Sequence, residues 1–565
     1  WSTWQASRGL SGSVPLDWVA GFTWTEWQPS SGLGGRHPWN THTCHLALSW
    51  PLPQRILDLF SEFRTLSNGL NLPHGRGLLG ALEVFGLDGI SVTEKTTMRE
   101  LCLRGGPYTP DERQAILDYC QTDVDALTQL LPAMLPHLDL ARAVAVRGPY
   151  MAAMAAMEHE GIPVDRDALT RLRQHWPHLT AALIRQVDQQ YGVFEQGAFR
   201  EARWERWLSK QGIPWPRLPS GRLDLEHSTF KDMATQYPCV APMRDLRGTL
   251  GQMRLEDLEV GEDGRNRTSL WAFSTKTARN APGTSKFVFG PATWLRHLIR
   301  PESGLGLAYV DWKAAEIGIG AALSQDAALC TAYESGDPYS AFAMQSGAGP
   351  PGMTKASHPA LRDIFKVASL AIGYGMGEHS LSYRIGQSPA HARQILRLHR
   401  KTYPHFWAWG DRVVDHAMLH GTLHTVFGWQ LHVSTQATKR ASCFSRRAIQ
   451  GIEATSARTL RNFPAQANCA EILRLACTKI VQAGITLHAP IHDAVLVGGP
   501  VAELPAIVHE TQRLMQQASE IVLGGFALQS EATCVYPGEH YEDPRGIAMW
   551  ERVQHLMEAH TLAYA

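Results

Sequence analysis

The sequence predicts a multidomain α+β fold, in which a small sheet carries helical appendages. With 565 residues the chain is long enough for several domains of roughly 150 residues each, and its 44% apolar content is enough for packed cores. Two strand-like apolar runs lie far apart, since Leu307–Val310 is closed by Asp311 and Ala494–Val497 directly follows Asp493. Between and after these runs the periodicity is helical, so we expect strands and helices in a mixed architecture.

The first 42 residues differ from the rest of the chain. They hold six of the 18 tryptophans, no lysine or isoleucine, and only Asp17 and Glu26 as acidic residues. Because this segment has neither helical nor alternating periodicity, we assign it no regular structure. Residues 1–42 are therefore predicted to be an atypical N-terminal segment, for which disorder is one interpretation.

The following part of the chain contains one clear helix-start pattern. Residues 109–112, Thr-Pro-Asp-Glu, combine an N-cap, a proline at the first helical position and a capping-box glutamate. This pattern predicts a helix that carries Tyr119 and Asp123.

The remaining elements follow from periodicity and breakers. Residues 150–260 are predicted to be mostly helical, whereas residues 271–307 are loop-like and rich in glycine, proline and basic side chains. Helical periodicity returns over residues 361–419, and a long helix is expected over residues 456–483, interrupted by Pro464.

Charge and cysteine usage limit the class of protein. Basic and acidic residues both total 53, so a nucleic-acid surface would have to arise from local clustering of Lys and Arg. The nine cysteines include no Cys-x-x-Cys pair, which favours reduced thiols over disulfides or a zinc ribbon. With no signal-peptide pattern and no apolar run of membrane-spanning length, we expect a soluble cytoplasmic enzyme without a membrane partner.

Asp311 and Asp493 are the candidate metal ligands. Mg²⁺ prefers oxygen ligands and keeps several waters, so two carboxylates together with substrate phosphates can hold it. Two such ions can activate an attacking hydroxyl and stabilise a leaving pyrophosphate. Either aspartate alone is more simply read as the end of a strand, and only their joint occurrence around a cationic helix favours metal-assisted nucleotidyl transfer.

Arg362 and Lys366 are the candidate phosphate-binding residues. Their i, i+4 spacing places them one turn apart on one helix face, which Leu370 and Tyr374 continue. A guanidinium suits a bidentate grip on an outer phosphate, and an ammonium can act as a point charge near the reacting phosphoryl group. A solvated basic face is the plainer alternative.

Several segments resemble motifs of family A DNA polymerases, the DNA polymerase I-like group. The run Asp311-Trp312-Lys313-Ala314-Ala315-Glu316 resembles the first palm motif, and His492-Asp493-Ala494 resembles the last. The spacing from Arg362 through Lys366 to Tyr374 and Gly375 matches the fingers helix. Residues 275–279, Thr-Lys-Thr-Ala-Arg, are similar to the Thr-x-x-Gly-Arg element, and Arg458, Asn462 and Gln466 match the helix that contacts template and primer.

The resemblance implies a right-hand polymerase with an antiparallel palm sheet and helical fingers and thumb. It implies two Mg²⁺ ions, with Mn²⁺ as a substitute, and primer-template DNA and dNTPs as partners of a monomer. The implied catalytic residues are Asp311, Asp493 and Lys366, with the two aspartates as metal ligands. The implied nucleotide-binding residues are Arg362, Lys366, Leu370, Tyr374 and Glu316, of which Glu316 crowds a ribose 2′-hydroxyl. The implied DNA-binding residues are Arg279, Arg458, Asn462, Gln466 and His492.

Three positions depart from the family pattern. Ala494 stands where the family has glutamate, which we expect to tune activity, and Leu370 replaces an aromatic residue that influences sugar discrimination. Lys313 adds a cation beside the metal ligands, and we expect it to lower the metal affinity of the site.

The N-terminal third resembles a proofreading 3′–5′ exonuclease of ribonuclease H-like α/β fold. Tyr119-Cys120-Gln121-Thr122-Asp123 is similar to its third motif, where Tyr orients water and Asp holds a metal. Such a site needs about four carboxylates, and no Asp-x-Glu pair precedes Asp58. We therefore expect Tyr119 and Asp123 to be remnants of an incomplete site, with ordinary helix packing and capping as the alternative.

The predicted division of the chain follows from these motifs. The exonuclease-like domain spans 43–145, thumb and start of palm 146–290, palm with the first metal motif 291–350, fingers 351–450, and palm with the second metal motif 451–565. The function expected is DNA-templated DNA synthesis with little proofreading. The alternatives are a single-subunit-type RNA polymerase, which Glu316 disfavours, and a catalytically silent nucleic-acid-binding protein on a polymerase scaffold.

Overall fold

The computed structural model describes residues 18–21, 55–87, 92–252, 255, 257–283, 285–290, 292–434, 451–452 and 455–564. Most of the predicted atypical segment, residues 1–42, and residues 435–450 of the predicted fingers therefore lie outside the described residues. Trp18–Gly21 forms a strand, β1, which pairs in parallel with β2 (Arg55–Asp58) and which periodicity did not predict. No helix within the described ranges is long and apolar enough to cross a membrane.

The chain divides into two compact units. The first comprises residues 1–161, 269–281 and 304–534, and the second comprises residues 162–268, 282–303 and 535–565. These two units do not correspond one to one with the predicted exonuclease-like, thumb, palm and fingers segments. The boundaries of those segments therefore stay a prediction.

The N-terminal part of the first unit is mainly helical. After β2 come α1 (Leu59–Ser67), β3 (Leu70–Asn71), α2 (Leu78–Phe85), α3 (Val92–Arg104), α4 (Pro110–Met134), α5 (Leu140–Arg142) and α6 (Gly148–Glu160). The predicted capping box of α4 is confirmed, because the Glu112 N–H donates to Thr109 Oγ1 and the Thr109 N–H donates back to the Glu112 carboxylate. Leu57, Phe63 and Leu130 lie in one buried apolar cluster that joins β2, α1 and α4.

A four-stranded sheet forms the centre of the first unit. Its strands are β8 (Leu305–Trp312), β12 (Thr486–Ile491), β13 (Ala494–Pro500) and β14 (Ser530–Val535), in the order β12-β13-β8-β14. Strand β13 runs antiparallel to both β12 and β8. The predicted strand before Asp311 and the predicted hairpin around Asp493 are therefore confirmed.

Along the chain, helices lie between β8 and β12, and a further helix lies between β13 and β14. They are α11 (Ala315–Ser324), α12 (Ala327–Glu334), α13 (Pro338–Gln345), α14 (Pro359–Gly373), α15 (Glu378–Ile385), α16 (Pro389–Thr402), α17 (Pro404–His420), α18 (Ala457–Gln482) and α19 (Leu504–Val522). Short strands β9 (Thr422–His424) and β10 (Gln430–His432) pair with each other, and β11 (Gly451–Ile452) pairs with β3.

The predicted interruption of the long helix at Pro464 is wrong, because α18 continues through it. Proline removes one backbone donor from the helix and crowds the preceding turn. Here the side chains of Leu460, Phe463 and Ala467 around it are buried, and the Asn468 amide donates to the Pro464 carbonyl oxygen at 2.8 Å. Burial of the surrounding face thus keeps α18 continuous through a proline, a residue that usually interrupts a helix.

The second unit has its own core. Its elements are β4 (Ile162–Pro163), α7 (Arg166–Asp188), β5 (Phe194–Glu195), β6 (Ala198–Phe199), α8 (Glu201–Gln211), α9 (His227–Gln236), α10 (Ala241–Gln252), β7 (Arg265–Asn266) and α20 (Ile547–Tyr564). Trp204 is fully buried and stacks on Phe230 at 5.5 Å between ring centroids. The Arg247 guanidinium lies 4.3 Å from the Phe199 ring centroid and 4.6 Å from that of Phe230, so a cation–π contact closes this cluster.

Glu158 of α6 provides a test of how burial sets stability. Burial raises the pKa of Glu158 to about 8, and its Oε1 accepts the Leu270 N–H at 2.8 Å. Because the folded pKa lies above the unfolded value of 4.5, the folded state loses stability as the pH rises from about 4.5 to about 8. We expect Glu158→Gln to gain stability relative to wild type over this range, by at most about 1.4 kcal/mol per pH unit, and to keep a constant advantage above it. Urea unfolding at pH 5, 7 and 9 measures this, and parallel pH curves for the two proteins would contradict it.

Candidate active site

Strand pairing brings the two candidate metal ligands together. Asp311 on β8 pairs directly with Ala494 on β13, and Asp493 is the residue immediately before Ala494. The Trp312 N–H donates to the Asp493 carbonyl oxygen at 3.2 Å, which fixes the turn against the end of β8. His492, the first residue of this two-residue turn, has a positive φ of 55° and an exposed side chain. The predicted meeting of Asp311 and Asp493 therefore rests on antiparallel register.

The electrostatics of the pair are those of crowded carboxylates. Burial, followed by repulsion from Asp493 and then Glu531, raises the pKa of Asp311 to about 7. Burial also raises the pKa of Asp493, while the Arg279 guanidinium opposes that shift. The two acids are thus held together in a setting that disfavours their charge until a cation arrives.

The donor set of this pair fits a hard divalent cation. Asp311 Oδ1 is buried and, within the part of the chain that the structure describes, accepts no hydrogen bond. Among the described residues no group of three or more His, Cys, Asp or Glu side chains is arranged to hold a metal. A site with two carboxylates therefore needs further oxygens from water or from a phosphate-bearing substrate, which is how Mg²⁺ is commonly bound.

Glu316 links Arg279 to Tyr374, which lies at the end of α14. Its Oε1 accepts a hydrogen bond from Arg279 Nη2 at 3.1 Å and another from Tyr374 Oη at 3.0 Å. The residue lies in the first turn of α11, two residues after Ala314, whose φ of 47° turns the chain from β8 into the helix. The structure thus gathers Glu316, Arg279 and Tyr374, three residues predicted from separate motifs, around one carboxylate.

Arg362 and Lys366 lie on α14 as predicted, one turn apart. Arg362 is half-buried and its Nε donates to Asp337 Oδ2 at 2.7 Å, whereas Lys366 is exposed. The Arg362 guanidinium lies 5.2 Å and the Lys366 ammonium 6.0 Å from the ring centroid of Tyr339. The face is therefore organised by neighbouring side chains and is not a simply solvated basic surface.

Tyr339 and Asp337 are functional candidates that the sequence motifs missed. Burial raises the pKa of Tyr339, and its hydroxyl is also within electrostatic range of Asp493 and Glu316. Tyr339 therefore lies between the cationic face of α14 and the carboxylates. The only sequence signal was the Asp337-Pro338 helix start, in which Asp337 is the N-cap of α13, as its contact with the Ser340 N–H confirms.

The predicted DNA-contacting residues Arg458, Asn462 and Gln466 lie on α18. Arg458 is exposed at the start of α18 and its Nε donates to the Tyr374 carbonyl oxygen. Asn462 lines a cavity together with Glu316 and Leu370. Leu370, which replaces an aromatic residue of the family pattern, therefore opens onto the same space as the Glu316 carboxylate. Gln466, one turn beyond Asn462, is half-buried.

Tyr119 and Asp123 belong to a separate setting on α4. Tyr119 is buried in a small cluster with Cys102, Met98 and Ile116. Burial raises the pKa of Asp123 to about 6, which the Lys95 ammonium and the nearby Tyr119 hydroxyl oppose. These contacts fit the packing alternative as well as they fit a remnant of a catalytic site.

The fold and the site place two aspartates in register on an antiparallel sheet, with a cationic helix and a carboxylate-centred cluster beside them. Residues 291–531 match the model of DNA polymerase family A.

Individual relatives agree with that match at low identity. The chain is 23% identical over 394 residues to DNA polymerase I of Caldicellulosiruptor bescii, covering 66% of this chain and 44% of the relative. It is 22% identical over 229 residues to the thermostable DNA polymerase I of Thermus thermophilus, covering 40% and 26%. With the DNA polymerase of Mycobacterium phage L5 it shares 24% identity over 261 residues, covering 46% and 38%. The chain thus spans less than half of the length of these curated relatives.

A solved structure shows the same fold. The POL domain of Pol1 from M. smegmatis, in complex with DNA primer-template and dNTP, superposes with a TM-score of 0.64 at 20% identity, covering 88% of this chain and 84% of that one. The α+β architecture of the described residues is therefore that of a polymerase domain.

The two glycines around Tyr374 make a matched pair of tests. Gly375 has a φ of +67°, and a Cβ there would lie 2.9 Å from Arg458 Cγ, whereas a Cβ at Gly373 would meet nothing within 4 Å. We expect Gly375→Ala to destabilise the protein by about 1–2 kcal/mol and to displace Arg458, because alanine is strained in this region. Gly373→Ala, at the end of α14, is expected to be neutral or stabilising by up to about 1 kcal/mol. Thermal unfolding of both variants checks this, and equal midpoints would contradict it.

Proposed function

We propose that this chain is a DNA-templated DNA polymerase that, as a monomer, extends a primer with dNTPs by nucleotidyl transfer assisted by two Mg²⁺ ions, with Mn²⁺ as a substitute. The observation that carries this proposal is the register of β8 and β13, which brings Asp311 and Asp493 together beside the Glu316 cluster. The match of residues 291–531 to the model of DNA polymerase family A supports it. The neighbouring structure is a complex with primer-template and dNTP, which supports the choice of substrates.

In this proposal Asp311 and Asp493 hold the metals. Divalent cations bound between these carboxylates and the substrate phosphates would acidify the primer 3′-hydroxyl and stabilise the leaving pyrophosphate. Below about pH 7 a cation has to displace the proton that burial and repulsion favour on Asp311.

The other side chains bind and orient the substrates. Arg362 and Lys366 face the triphosphate, and Lys366 protonates the pyrophosphate as it leaves. Tyr374 and Leu370 border the templating and sugar positions. Glu316, tied to Arg279 and Tyr374, crowds a ribose 2′-hydroxyl, which favours deoxynucleotides over the RNA-polymerase alternative. Arg279, Arg458, Asn462, Gln466 and His492 contact the primer-template.

The N-terminal part of the first unit is proposed to be an exonuclease-like domain that does not edit. Asp123 lies one turn from the buried Tyr119 on α4, and Asp58 accepts the Ser61 N–H at 2.9 Å as the N-cap of α1. Neither carboxylate therefore belongs to a group of acids that could hold a metal among the described residues.

Removal of either metal ligand tests the polymerase mechanism. We expect Asp311→Asn and Asp493→Asn to lose at least about 10³-fold in primer extension. Each change removes a charged ligand of the metal ions that would stabilise the transition state. Both variants should still bind primer-template. The assay is run with dNTPs and, separately, with ribonucleotides. Extension that survives in both variants would rule the mechanism out, and a preference for ribonucleotides would favour the RNA polymerase alternative.

Absence of proofreading is a separate expectation. A primer with a mismatched 3′ end should be excised at no more than the background rate, and Asp123→Ala should leave that rate unchanged. Denaturing gels of the labelled primer, without dNTPs, measure it. Excision that needs a divalent cation and disappears in Asp123→Ala would overturn the expectation.

A further inference from the structure

The loop that carries Arg279, residues 269–281, is built from unfavourable backbone conformations. Trp271, Phe273 and Ala278 all have positive φ angles, of 49°, 56° and 60°. For residues other than glycine each such conformation is costly and persists only where surrounding contacts over-determine it. The contacts that hold this Arg279 loop are therefore part of how the site is made.

Some of these contacts come from the polymerase part of the chain. Arg474 of α18 donates from Nη1 to the Ala278 carbonyl oxygen at 2.7 Å, and its guanidinium lies 4.7 Å from the Phe273 ring centroid. Trp429 donates from Nε1 to the Lys276 carbonyl oxygen at 2.9 Å and stacks on Phe273 at 5.6 Å between ring centroids.

Further contacts come from the end of α1, in the exonuclease-like part. Asn68, only 1% exposed, donates from Nδ2 to the Lys276 carbonyl oxygen at 2.8 Å and to the Gln430 carbonyl oxygen at 2.8 Å. Arg64 donates from Nη1 to the Phe273 carbonyl oxygen at 3.1 Å. Thus the end of α1 contacts the loop at two carbonyl groups.

The same end of α1 is anchored to the polymerase part on its other side. The His432 N–H donates to the Asn68 carbonyl oxygen at 2.9 Å, and His432 Nε2 lies 2.8 Å from the Leu66 carbonyl oxygen. Strand β3, two residues after α1, pairs with β11. The end of α1 is thus fixed in place by β10 and β11 while it holds the loop.

We propose that the exonuclease-like part of this chain acts as an internal brace for polymerisation, and that Asn68 and Arg64 are positioning residues that hold the Arg279 loop. The loop carries Arg279 to Glu316, at 3.1 Å, and into electrostatic range of Asp493. A domain that does not edit is retained, in this view, because the strained loop loses its order without it. The effect on substrate binding rests on the proposed function, whereas the effect on loop order does not.

Amide hydrogen exchange of the full-length protein measures loop order directly. Asn68→Ala removes the donation to Lys276 in the loop and the donation to Gln430 that ties the end of α1 to β10, and each net hydrogen bond is worth roughly a factor of five in the opening equilibrium. We expect exchange of peptides spanning residues 269–281 to be roughly tenfold to thirtyfold faster than in wild type. Arg64→Met, at a half-buried position with one such bond, should give a smaller increase, and Arg64→Lys should restore part of it by keeping a donor.

Two controls separate bracing from general destabilisation. Ser67→Ala removes a buried hydroxyl that bonds only the Phe63 carbonyl oxygen of its own helix. Asn266→Ala removes a buried amide that donates to the Glu259 and Lys286 carbonyl oxygens at 2.7 and 2.8 Å, the same pattern as Asn68, within the second unit. Neither control should change exchange of the loop, at whatever cost in thermal midpoint.

Binding of a fluorescent primer-template without nucleotide completes the test. We expect the Kd of Asn68→Ala to rise roughly tenfold, and that of Ser67→Ala to stay within about twofold of wild type. Unchanged loop exchange in Asn68→Ala, or equal loosening in Ser67→Ala, would overturn the brace. If wild-type protein bound no primer-template the proposed function would fail, and loop exchange would still decide for or against the brace.

Discussion

The pairing of β8 with β13 is the interaction on which the rest of the site depends. Side chains alternate between the two faces of a strand, so a shift of one residue in this register would send Asp311 to the opposite face of the sheet. The observed register instead crowds it against Asp493, where burial and repulsion raise the pKa of Asp311 to about 7. Backbone hydrogen bonding and buried apolar neighbours such as Val310 and Val495 offset that cost.

Near Asp311 and Asp493, charged and polar side chains form a series of hydrogen bonds. Glu316 accepts from both Arg279 and Tyr374, and Arg458 donates to the Tyr374 carbonyl oxygen. Hydrogen bonds therefore run from the Arg279 loop through one carboxylate to Tyr374, at the end of α14. Such a shared acceptor makes the effects of its partners non-additive, because loss of one donor leaves the carboxylate with less compensation for the other.

The sequence predicted the parts of this protein that short-range patterns determine. The capping box of α4 and the hairpin at Asp493 both follow from local chemistry and are confirmed. Pro464 shows the limit of local rules, because buried neighbours outweigh the lost hydrogen bond. The bonds from Asn68 to Lys276 and Gln430 span more than 200 and 360 positions, and nothing in the residue type alone indicates them.

Lys313 shows how the structure changes the meaning of a substitution. From the sequence, a lysine two residues after Asp311 is expected to oppose metal binding. In the fold its ammonium lies 3.8 Å from the Glu531 carboxylate on β14, the strand next to β8, and the Lys313 N–H donates to the Gln529 carbonyl oxygen at 2.8 Å. Both side chains are well exposed, so solvent screens the pair and its energy is small. The added positive charge is nonetheless matched by a negative one at the same edge of the sheet. The charges of Lys313 and Glu531 thus largely cancel, and Lys313 adds less net positive charge beside Asp311 than the sequence alone suggests.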